Sequence, residues 1–178
     1  MENAIRQAIP LKLLLLDVDG VLTDGRITYS GAGEELKSFH IHDGLGIKLL
    51  QQAGVQVGII TGRSSPMVAR RAGELGINHL LQGREDKWVA MQAIQQQLDL
   101  SLDEIAYMGD DLPDLLAIRY AGLGIAPANA LSVVKQQADW VTTLRGGAGP
   151  PLFNTPKSIP APQTAHPLHT HTQTPPPH

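Results

Sequence analysis

The chain has 178 residues, the length of one ordinary domain, and its 14 Lys and Arg against 17 Asp and Glu give a formal net charge of -3. This balance excludes a basic nucleic-acid-binding surface and a polybasic membrane anchor, and the lack of cysteine excludes disulfides, thiolate metal sites and a cysteine nucleophile. The apolar runs are shorter than the roughly 18 residues of a membrane span, and residues 1–10 lack the apolar core of a secretory signal, so a cytoplasmic location is expected.

The C-terminal segment differs from the rest of the chain in composition. Residues 150–178 contain 9 of the 13 prolines and 4 of the 7 histidines, and Lys157 is the only Lys, Arg, Asp or Glu among them. Such a segment has too few large apolar side chains to offset the entropy of ordering it. We therefore predict a disordered tail, rich in Pro, His and Thr, over residues 150–178 and a working domain over residues 8–149.

Short apolar runs alternate with helical patterns through the working domain. Residues 12–18 form a continuous apolar run, as expected for a parallel strand buried on both faces. Two β-prone runs, residues 26–30 and 35–41, flank a Gly-Ala-Gly break and predict a small β-hairpin. A helix is predicted next, with Asp43 as its N-cap.

The alternation continues to the end of the domain. Further strands are predicted at residues 55–60, 79–82, 105–108, 123–126 and 140–143. Further helices are predicted at residues 64–76, 85–98 and 112–121, with a last one capped by Asn129. This pattern predicts an α/β fold with a doubly wound, mainly parallel sheet, a small β-hairpin insertion and no cap domain.

Acidic side chains follow the predicted strands at the edge where such sheets bind ligands. Asp17 and Asp19 end the first strand, and Asp110 follows residues 105–108. An acid inside an apolar run is costly without a partner, and residues two apart on a strand point to the same side. Because clustered carboxylates repel, they require a cation, and oxygen ligands without cysteine favour Mg²⁺.

Two further side chains extend this set. Thr61 ends the second strand and offers a hydroxyl group. Lys87 lies near the start of a predicted helix, where a cation is unfavourable against the helix dipole and is best explained by an anionic partner. These groups together suit phosphoryl transfer through an aspartyl-phosphate. For Asp111 and Asp114, helix capping is an equally good explanation.

Four segments carry a resemblance to a known family. They are residues 17–25 (DVDGVLTDG), residues 60–63 (ITGR), Lys87 and residues 109–114 (GDDLPD). In this order they resemble the four motifs of the haloacid dehalogenase superfamily of phosphohydrolases. Residues 11–149 are similar in particular to a small, cap-less, tetrameric branch of that superfamily, which dephosphorylates an eight-carbon sugar acid in lipopolysaccharide precursor synthesis.

The resemblance implies a role for each motif residue. Asp17 would attack phosphorus, and Asp19 would protonate the leaving sugar oxygen and then activate water. Mg²⁺ would be held by the carboxylates of Asp17 and Asp110 and by the backbone carbonyl of Asp19. Thr61 and Lys87 would bind the phosphoryl oxygens.

The resemblance also implies contacts to the sugar acid by His40, Lys48, Arg63 and Arg71. His40 is expected on the second hairpin strand, and Arg70 on a solvated helix face. Because the hairpin is too small to cover a site, the resemblance implies a homotetramer whose neighbouring subunits cover each site. No nucleic-acid or membrane partner is expected.

Three alternatives remain open at the level of the sequence. One keeps the chemistry on a different sugar-acid phosphate, for example a nine-carbon one. The second is a phospho-acceptor domain of the response-regulator type. Asp19 argues against this alternative, because it is placed to promote hydrolysis of the phosphorylated intermediate. The third is an inert assembly partner. The chain also departs from the family's charged, helical C-terminus, as a truncation or a shifted reading frame would produce, so a role for that helix is not expected.

Overall fold

Parallel strands and the helices that connect them make up the computed structural model, which describes residues 2–149. In chain order the elements are α1 (Glu2–Ala8), β1 (Leu13–Leu16), β2 (Thr28–Tyr29), β3 (Glu35–Leu36), α2 (Ile41–Gln52), β4 (Gln56–Ile60), α3 (Pro66–Leu75), β5 (His79–Leu81), α4 (Lys87–Leu98), β6 (Ile105–Met108), α5 (Leu115–Tyr120), β7 (Leu123–Ala126), α6 (Ser132–Gln137) and β8 (Trp140–Val141). The predicted tail, residues 150–178, lies outside the described residues.

The central sheet has six parallel strands in the order β5-β4-β1-β6-β7-β8. β1 lies between β4 and β6, with Leu13 opposite Gln56 on one side and Ile105 on the other. Its Leu14 side chain packs with α1, α2 and α3 on one face of the sheet, whereas Leu13 packs with α4, α5 and α6 on the opposite face. A strand covered on both faces is apolar throughout, which is why four consecutive leucines form β1.

The predicted fold class is confirmed. The strands predicted at residues 105–108 and 123–126 match β6 and β7, and α3 begins at Pro66 and ends before Gly76, which adopts φ +70°. Helix α1 was not predicted. No helix in the described part of the chain has both the length and the apolar character that crossing a membrane requires.

Some local predictions were wrong. Asp43 is not the N-cap of α2; the cap is His40, whose Nδ1 accepts a hydrogen bond from the backbone N–H of His42 at 3.1 Å. The second hairpin strand therefore ends at Leu36, and His40 lies at the start of a helix. The predicted helix at residues 112–121 begins as a 3₁₀ turn, Leu112–Asp114, because Pro113 allows the tight turn.

The β2–β3 hairpin stands apart from the central sheet. Its two strands pair antiparallel, with Thr28 opposite Leu36 and Tyr29 opposite Glu35. Each strand has two residues, and the side chains of Tyr29 and Leu36 are more than half exposed. Because an isolated hairpin this small is marginally stable, other contacts must hold it in place.

Candidate active site

The predicted site residues meet at the carboxyl ends of the central strands. Asp17 directly follows β1, and its N–H donates a hydrogen bond to the carbonyl of Met108 at 3.0 Å. Thr61 follows β4, and Asp110 follows β6. The chain order of the sheet reverses between β1 and β6, and this switch point is where open α/β sheets bind their ligands.

Three carboxylates and one ammonium group form the centre of the site. One carboxylate oxygen each of Asp17, Asp110 and Asp114 lies within 4.8 Å of the others. Lys87 is 4% exposed, and its Nζ lies 2.9 Å from Asp17 Oδ1 and 2.6 Å from Asp114 Oδ1. The helix α4 begins at Lys87, so this cation at a helix N-terminus is explained by its anionic partners, as predicted.

Burial and repulsion both act on these groups. Desolvation, and then the negative charge of Asp114, raise the pKa of Asp17 to about 6. Burial opposes the charge of Lys87, but the carboxylates of Asp17 and Asp114 outweigh it and raise the pKa of this ammonium group. Asp17 and Lys87 therefore form a buried ion pair in which each partner depends on the other.

Asp114 organises the surroundings of Lys87. Its side chain is fully buried, and Oδ1 accepts hydrogen bonds from Lys87 at 2.6 Å and from the hydroxyl of Tyr107 at 2.8 Å. Oδ2 accepts from the backbone N–H groups of Asp110 and Asp111, both at 3.1 Å. Asp114 takes part in helix capping, since it accepts from the backbone N–H of the N-cap residue Asp111. The same carboxylate also fixes Lys87, a contact that the sequence did not predict.

The donor set fits a hard divalent cation. Asp110 Oδ1 is buried and has no hydrogen-bond partner among residues 2–149, and burial followed by repulsion from Asp17 raises the pKa of Asp110 to about 7. Gly20 faces this carboxylate with φ +96°, and a Cβ at that position would overlap it. An unpaired buried carboxylate oxygen beside another carboxylate is the arrangement that Mg²⁺ stabilises.

Asn129 holds the loop that follows β1. Its Nδ2 donates to the carbonyl of Gly20 at 3.0 Å, and its Oδ1 accepts from the N–H of Gly146 at 2.7 Å. The prediction of Asn129 as a helix cap was wrong, since α6 begins at Ser132 with Leu131 as its N-cap. The sequence signal for the actual role of Asn129 was its place shortly after β7, at the edge where such sheets bind ligands.

Asp19 belongs to a chain of charged residues that reaches the hairpin. Lys37 Nζ contacts Asp19 Oδ1 and lies 3.0 Å from Glu35 Oε1. Glu35 Oε2 accepts from Arg63 Nη2 at 2.7 Å, and Arg63 Nε lies 3.9 Å from Asp19 Oδ2. The hydrogen bonds from Arg63 and then Lys37 lower the pKa of Glu35. Sequence reasoning singled out Asp19 and Arg63 and missed Glu35 and Lys37.

The other predicted sugar-acid contacts lie on α2 and α3. Lys48 is exposed on α2, and Arg71 packs over Gly44, 6.0 Å from the ring of Phe39 and 3.4 Å from Glu74. None of the hydrogen bonds or ion pairs within residues 2–149 connects His40, Lys48 or Arg71 to Asp17. Arg70 pairs with Glu74 on the solvated face of α3, as expected.

Comparisons with known proteins agree with this geometry. A family model for haloacid dehalogenase-like hydrolases matches residues 75–146. The 3-deoxy-D-manno-octulosonate 8-phosphate phosphatase KdsC of Yersinia pestis is 41% identical over 148 residues, which are 83% of this chain and 79% of the relative.

Two similar solved structures come from the same group of enzymes. One is a 3-deoxy-D-manno-octulosonate 8-phosphate phosphatase from Moraxella catarrhalis in complex with magnesium ion, phosphate ion and KDO. It is 47% identical to this chain and has a TM-score of 0.82, and the match covers 83% of this chain and 85% of that chain. The other is the cobalt-bound deoxy-D-mannose-octulosonate 8-phosphate phosphatase from Haemophilus influenzae, at 41% identity and a TM-score of 0.78, matched over 82% of this chain and 85% of that chain.

Proposed function

This chain belongs to the 3-deoxy-D-manno-octulosonate 8-phosphate phosphatases of the haloacid dehalogenase superfamily, and we propose that it hydrolyses that sugar-acid phosphate to the free sugar acid and phosphate. The observation that carries this conclusion is the contact of Lys87 with both Asp17 and Asp114 beside the unpaired oxygen of Asp110. This grouping supports the assignment of Asp17 as the nucleophile, of Lys87 as the phosphate-binding cation and of Asp110 as a metal ligand.

The carboxylates of Asp17 and Asp110 and the backbone carbonyl of Asp19 would hold Mg²⁺. When bound there, Mg²⁺ neutralises carboxylate and phosphate charge that would otherwise repel. Asn129 supports this arrangement by holding the next carbonyl, that of Gly20, in place.

In the first half of the reaction, a carboxylate oxygen of Asp17 attacks phosphorus and the bond from phosphorus to the sugar oxygen breaks. Asp19 gives its proton to that oxygen, so that the sugar leaves as an alcohol. Lys87, which contacts Asp17, and the buried Thr61, which follows β4, bind the phosphoryl oxygens and offset their charge.

In the second half, Asp19 accepts a proton from water as the water oxygen attacks phosphorus. The bond between phosphorus and Asp17 breaks, phosphate is released and both aspartates return to their starting forms. Asp19 is less buried than Asp17, and its Oδ2 lies 3.9 Å from Arg63 Nε. This partial exposure suits a group that exchanges protons with substrate and water.

The sugar-acid end of the substrate requires positive groups. Arg63 beside Asp19 is proposed to bind the substrate carboxylate, since its planar guanidinium can form two parallel hydrogen bonds with it. His40, Lys48 and Arg71 are proposed to complete the sugar-acid site. Because they are not joined to the Asp17 cluster within one chain, we propose that they act across a subunit boundary.

We propose a homotetramer assembled through the hairpin and the start of α2. Apolar side chains are exposed there: Tyr29, Leu36, Ile41 and Leu45 are all more than half exposed. Exposed apolar groups gathered on one side of a molecule are typical of an interaction surface. Such contacts would place neighbouring subunits over a site that the hairpin cannot cover alone.

Two further expectations accompany this function. Residues 8–149 are proposed as the phosphatase domain, so that a chain ending at Gly149 retains the melting temperature and activity of the full chain. A cytoplasmic location is proposed as well, to be tested by cell fractionation.

A phosphate-release assay tests the proposed function. With Mg²⁺ present, the wild type is expected to hydrolyse 3-deoxy-D-manno-octulosonate 8-phosphate in preference to other sugar phosphates, including a nine-carbon sugar-acid phosphate. Asp17→Asn and Asp19→Asn are expected to lose at least about a thousandfold and a hundredfold in kcat, respectively. Asp99→Asn, an exposed acid remote from the site, serves as the matched control.

The outcomes separate the alternatives. Preference for another sugar acid would retain the mechanism and change the substrate. A phosphorylated protein that persists for hours would favour the phospho-acceptor domain, which the family membership does not support. No Mg²⁺-dependent turnover of any sugar phosphate would reject the proposal.

A further inference from the structure

Lys37 is buried in a way that its place on an exposed hairpin does not require. It directly follows β3, a strand of two residues, yet its side chain is 2% exposed. Its Nζ contacts Asp19 Oδ1 and lies 3.0 Å from Glu35 Oε1. A buried ammonium group is costly unless several partners neutralise it, so these two carboxylates determine where the side chain lies.

We propose that Lys37 is a positioning residue for the phosphatase reaction: its ammonium group fixes the Asp19 carboxylate in the orientation from which Asp19 exchanges a proton with substrate and water. This inference rests on the proposed function, because it concerns the proton step of that reaction.

The two oxygens of Asp19 are in different situations. Oδ1 is held by Lys37, whereas Oδ2 lies 3.9 Å from Arg63 Nε, beyond hydrogen-bond distance. One oxygen is therefore anchored, and the other remains to carry the proton. A general acid or base must lie within hydrogen-bond reach of its target. The contact with Lys37 restricts rotation of the Asp19 side chain and so keeps its carboxylate within that reach.

Glu35 extends the same control to the substrate end. Its Oε1 faces Lys37 and its Oε2 binds Arg63 at 2.7 Å. One hairpin side chain thus sets the spacing between Asp19, which handles the proton, and Arg63, which is proposed to bind the substrate carboxylate. The hairpin is in this way part of the proton-transfer apparatus and not only a surface for assembly.

The test compares two substrates that differ in their need for a proton. A sugar alkoxide is a poor leaving group and needs protonation by Asp19, whereas p-nitrophenolate leaves without it. In the full chain with Mg²⁺, Lys37→Met is expected to lower kcat/KM for the octulosonate phosphate about 10- to 100-fold and that for p-nitrophenyl phosphate less than about threefold. Asp19→Asn should show the same substrate dependence.

Controls address charge and folding. Lys12→Met removes an equally charged but exposed lysine, which pairs with Glu104 at the opposite edge of the sheet, and is expected to change neither value. Lys37→Arg keeps the cation and is expected to recover part of the loss. If Lys37→Met does not fold, Lys37→Gln is measured with the same two substrates.

Two results would overturn the inference: an equal loss on both substrates, which a merely structural role produces, or no loss on the octulosonate phosphate. Failure of the proposed function has a different signature, since the wild type itself would then not hydrolyse the octulosonate phosphate. The ratio of kcat/KM between the Lys37 variant and the wild type reports only on the role of Lys37.

Discussion

The carboxyl edge of the central sheet and the hairpin side of the molecule differ in how completely one chain builds them. At the carboxyl edge, Lys87 contacts both Asp17 and Asp114, and all three side chains are almost fully buried. On the hairpin side, formed by β2, β3 and α2, side chains such as Tyr29 and Lys48 face solvent.

This difference indicates a division of labour. Strands buried on both faces fix the groups at their ends to within the tolerance that phosphoryl transfer requires. A hairpin of two-residue strands cannot do so alone, and its orientation depends on Glu35, Lys37 and, in our proposal, neighbouring subunits. In our proposal, the single chain builds the groups that perform the chemistry, and the assembly completes the groups that select the substrate.

The largest expected effect concerns the buried centre. Asp114→Asn replaces one of the two accepting oxygens by an NH2 group. Either the side chains of Lys87 and Tyr107 or the two backbone N–H groups then lose their acceptor and face a donor instead. We expect the free energy of unfolding to fall by about 3 kcal/mol or more, with a loss of activity of at least about a hundredfold. Chemical denaturation and phosphate release measure the two.

Asp99→Asn is the control for Asp114→Asn. Asp99 is exposed and adopts φ 52°, a conformation that asparagine tolerates well, so its change is expected to stay within about 0.5 kcal/mol. Equal stability of the two variants would show that Asp114 does not organise the centre.

The next effect concerns the hairpin side. Replacing Tyr29 and Leu36 by Ser removes two apolar side chains that are 61% and 52% exposed. The sheet does not depend on them, so we expect the melting temperature of the protomer to change little while the proposed tetramer dissociates. Activity should fall about tenfold, since covering of the site is lost.

Light scattering distinguishes these states. Val89→Ser, at a side chain that is also 52% exposed but lies on α4, serves as the control and should leave assembly unchanged. A wild type that is monomeric at assay concentration would contradict the division between chain and assembly.

The sequence predicted the carboxyl edge better than the hairpin side for the same physical reason. Buried strands such as β6 can be predicted from their apolar runs, and parallel topology brings together the residues that follow these strands. That logic predicted Asp17, Asp110 and Lys87 as neighbours.

Contacts between residues distant in the chain had no comparable signal. The pairing of Lys37 with Asp19 depends on how the hairpin folds back, and the two bonds of Asn129 depend on where Gly146 returns to the site. His40 was misplaced because β-prone residues lead up to a helix whose cap is a histidine, which is an uncommon choice at that position.

A moderate effect is expected from pH and metal. In the metal-free protein the pKa of Asp110 is raised to about 7 and that of Asp17 to about 6, from an ordinary value of 3.8. The folded state thus holds these protons more tightly than the unfolded state. This contribution to stability is complete below about pH 4 and is lost as the pH rises through about 6 to 7.

We therefore expect the metal-free protein to lose several degrees of melting temperature between about pH 5 and about pH 8, and Mg²⁺ to raise it more at the higher pH, where it binds ionised carboxylates. Asp110→Asn should show a smaller dependence on both pH and Mg²⁺. Identical curves for wild type and Asp110→Asn would contradict the assignment of the metal-binding residues.

The smallest effect is expected at Arg70, which is exposed and pairs with Glu74 one turn along α3. Arg70→Ala should change the free energy of unfolding by less than about 0.5 kcal/mol and leave activity unchanged. By contrast, Arg71→Ala should raise KM for the sugar-acid phosphate, because Arg71 is proposed to contact substrate. Equal KM values for the two variants would remove Arg71 from the site.

The phosphorylation of Asp17 tests the central claim most directly. Asp19→Asn is expected to form the intermediate but to hydrolyse it slowly. This variant is mixed with p-nitrophenyl phosphate and Mg²⁺, quenched in acid and digested for mass spectrometry. We predict one phosphoryl group on the peptide that contains Asp17, absent in the Asp17→Asn, Asp19→Asn double variant. A phosphoryl group on another residue, or turnover with no phosphorylated peptide, would contradict the account.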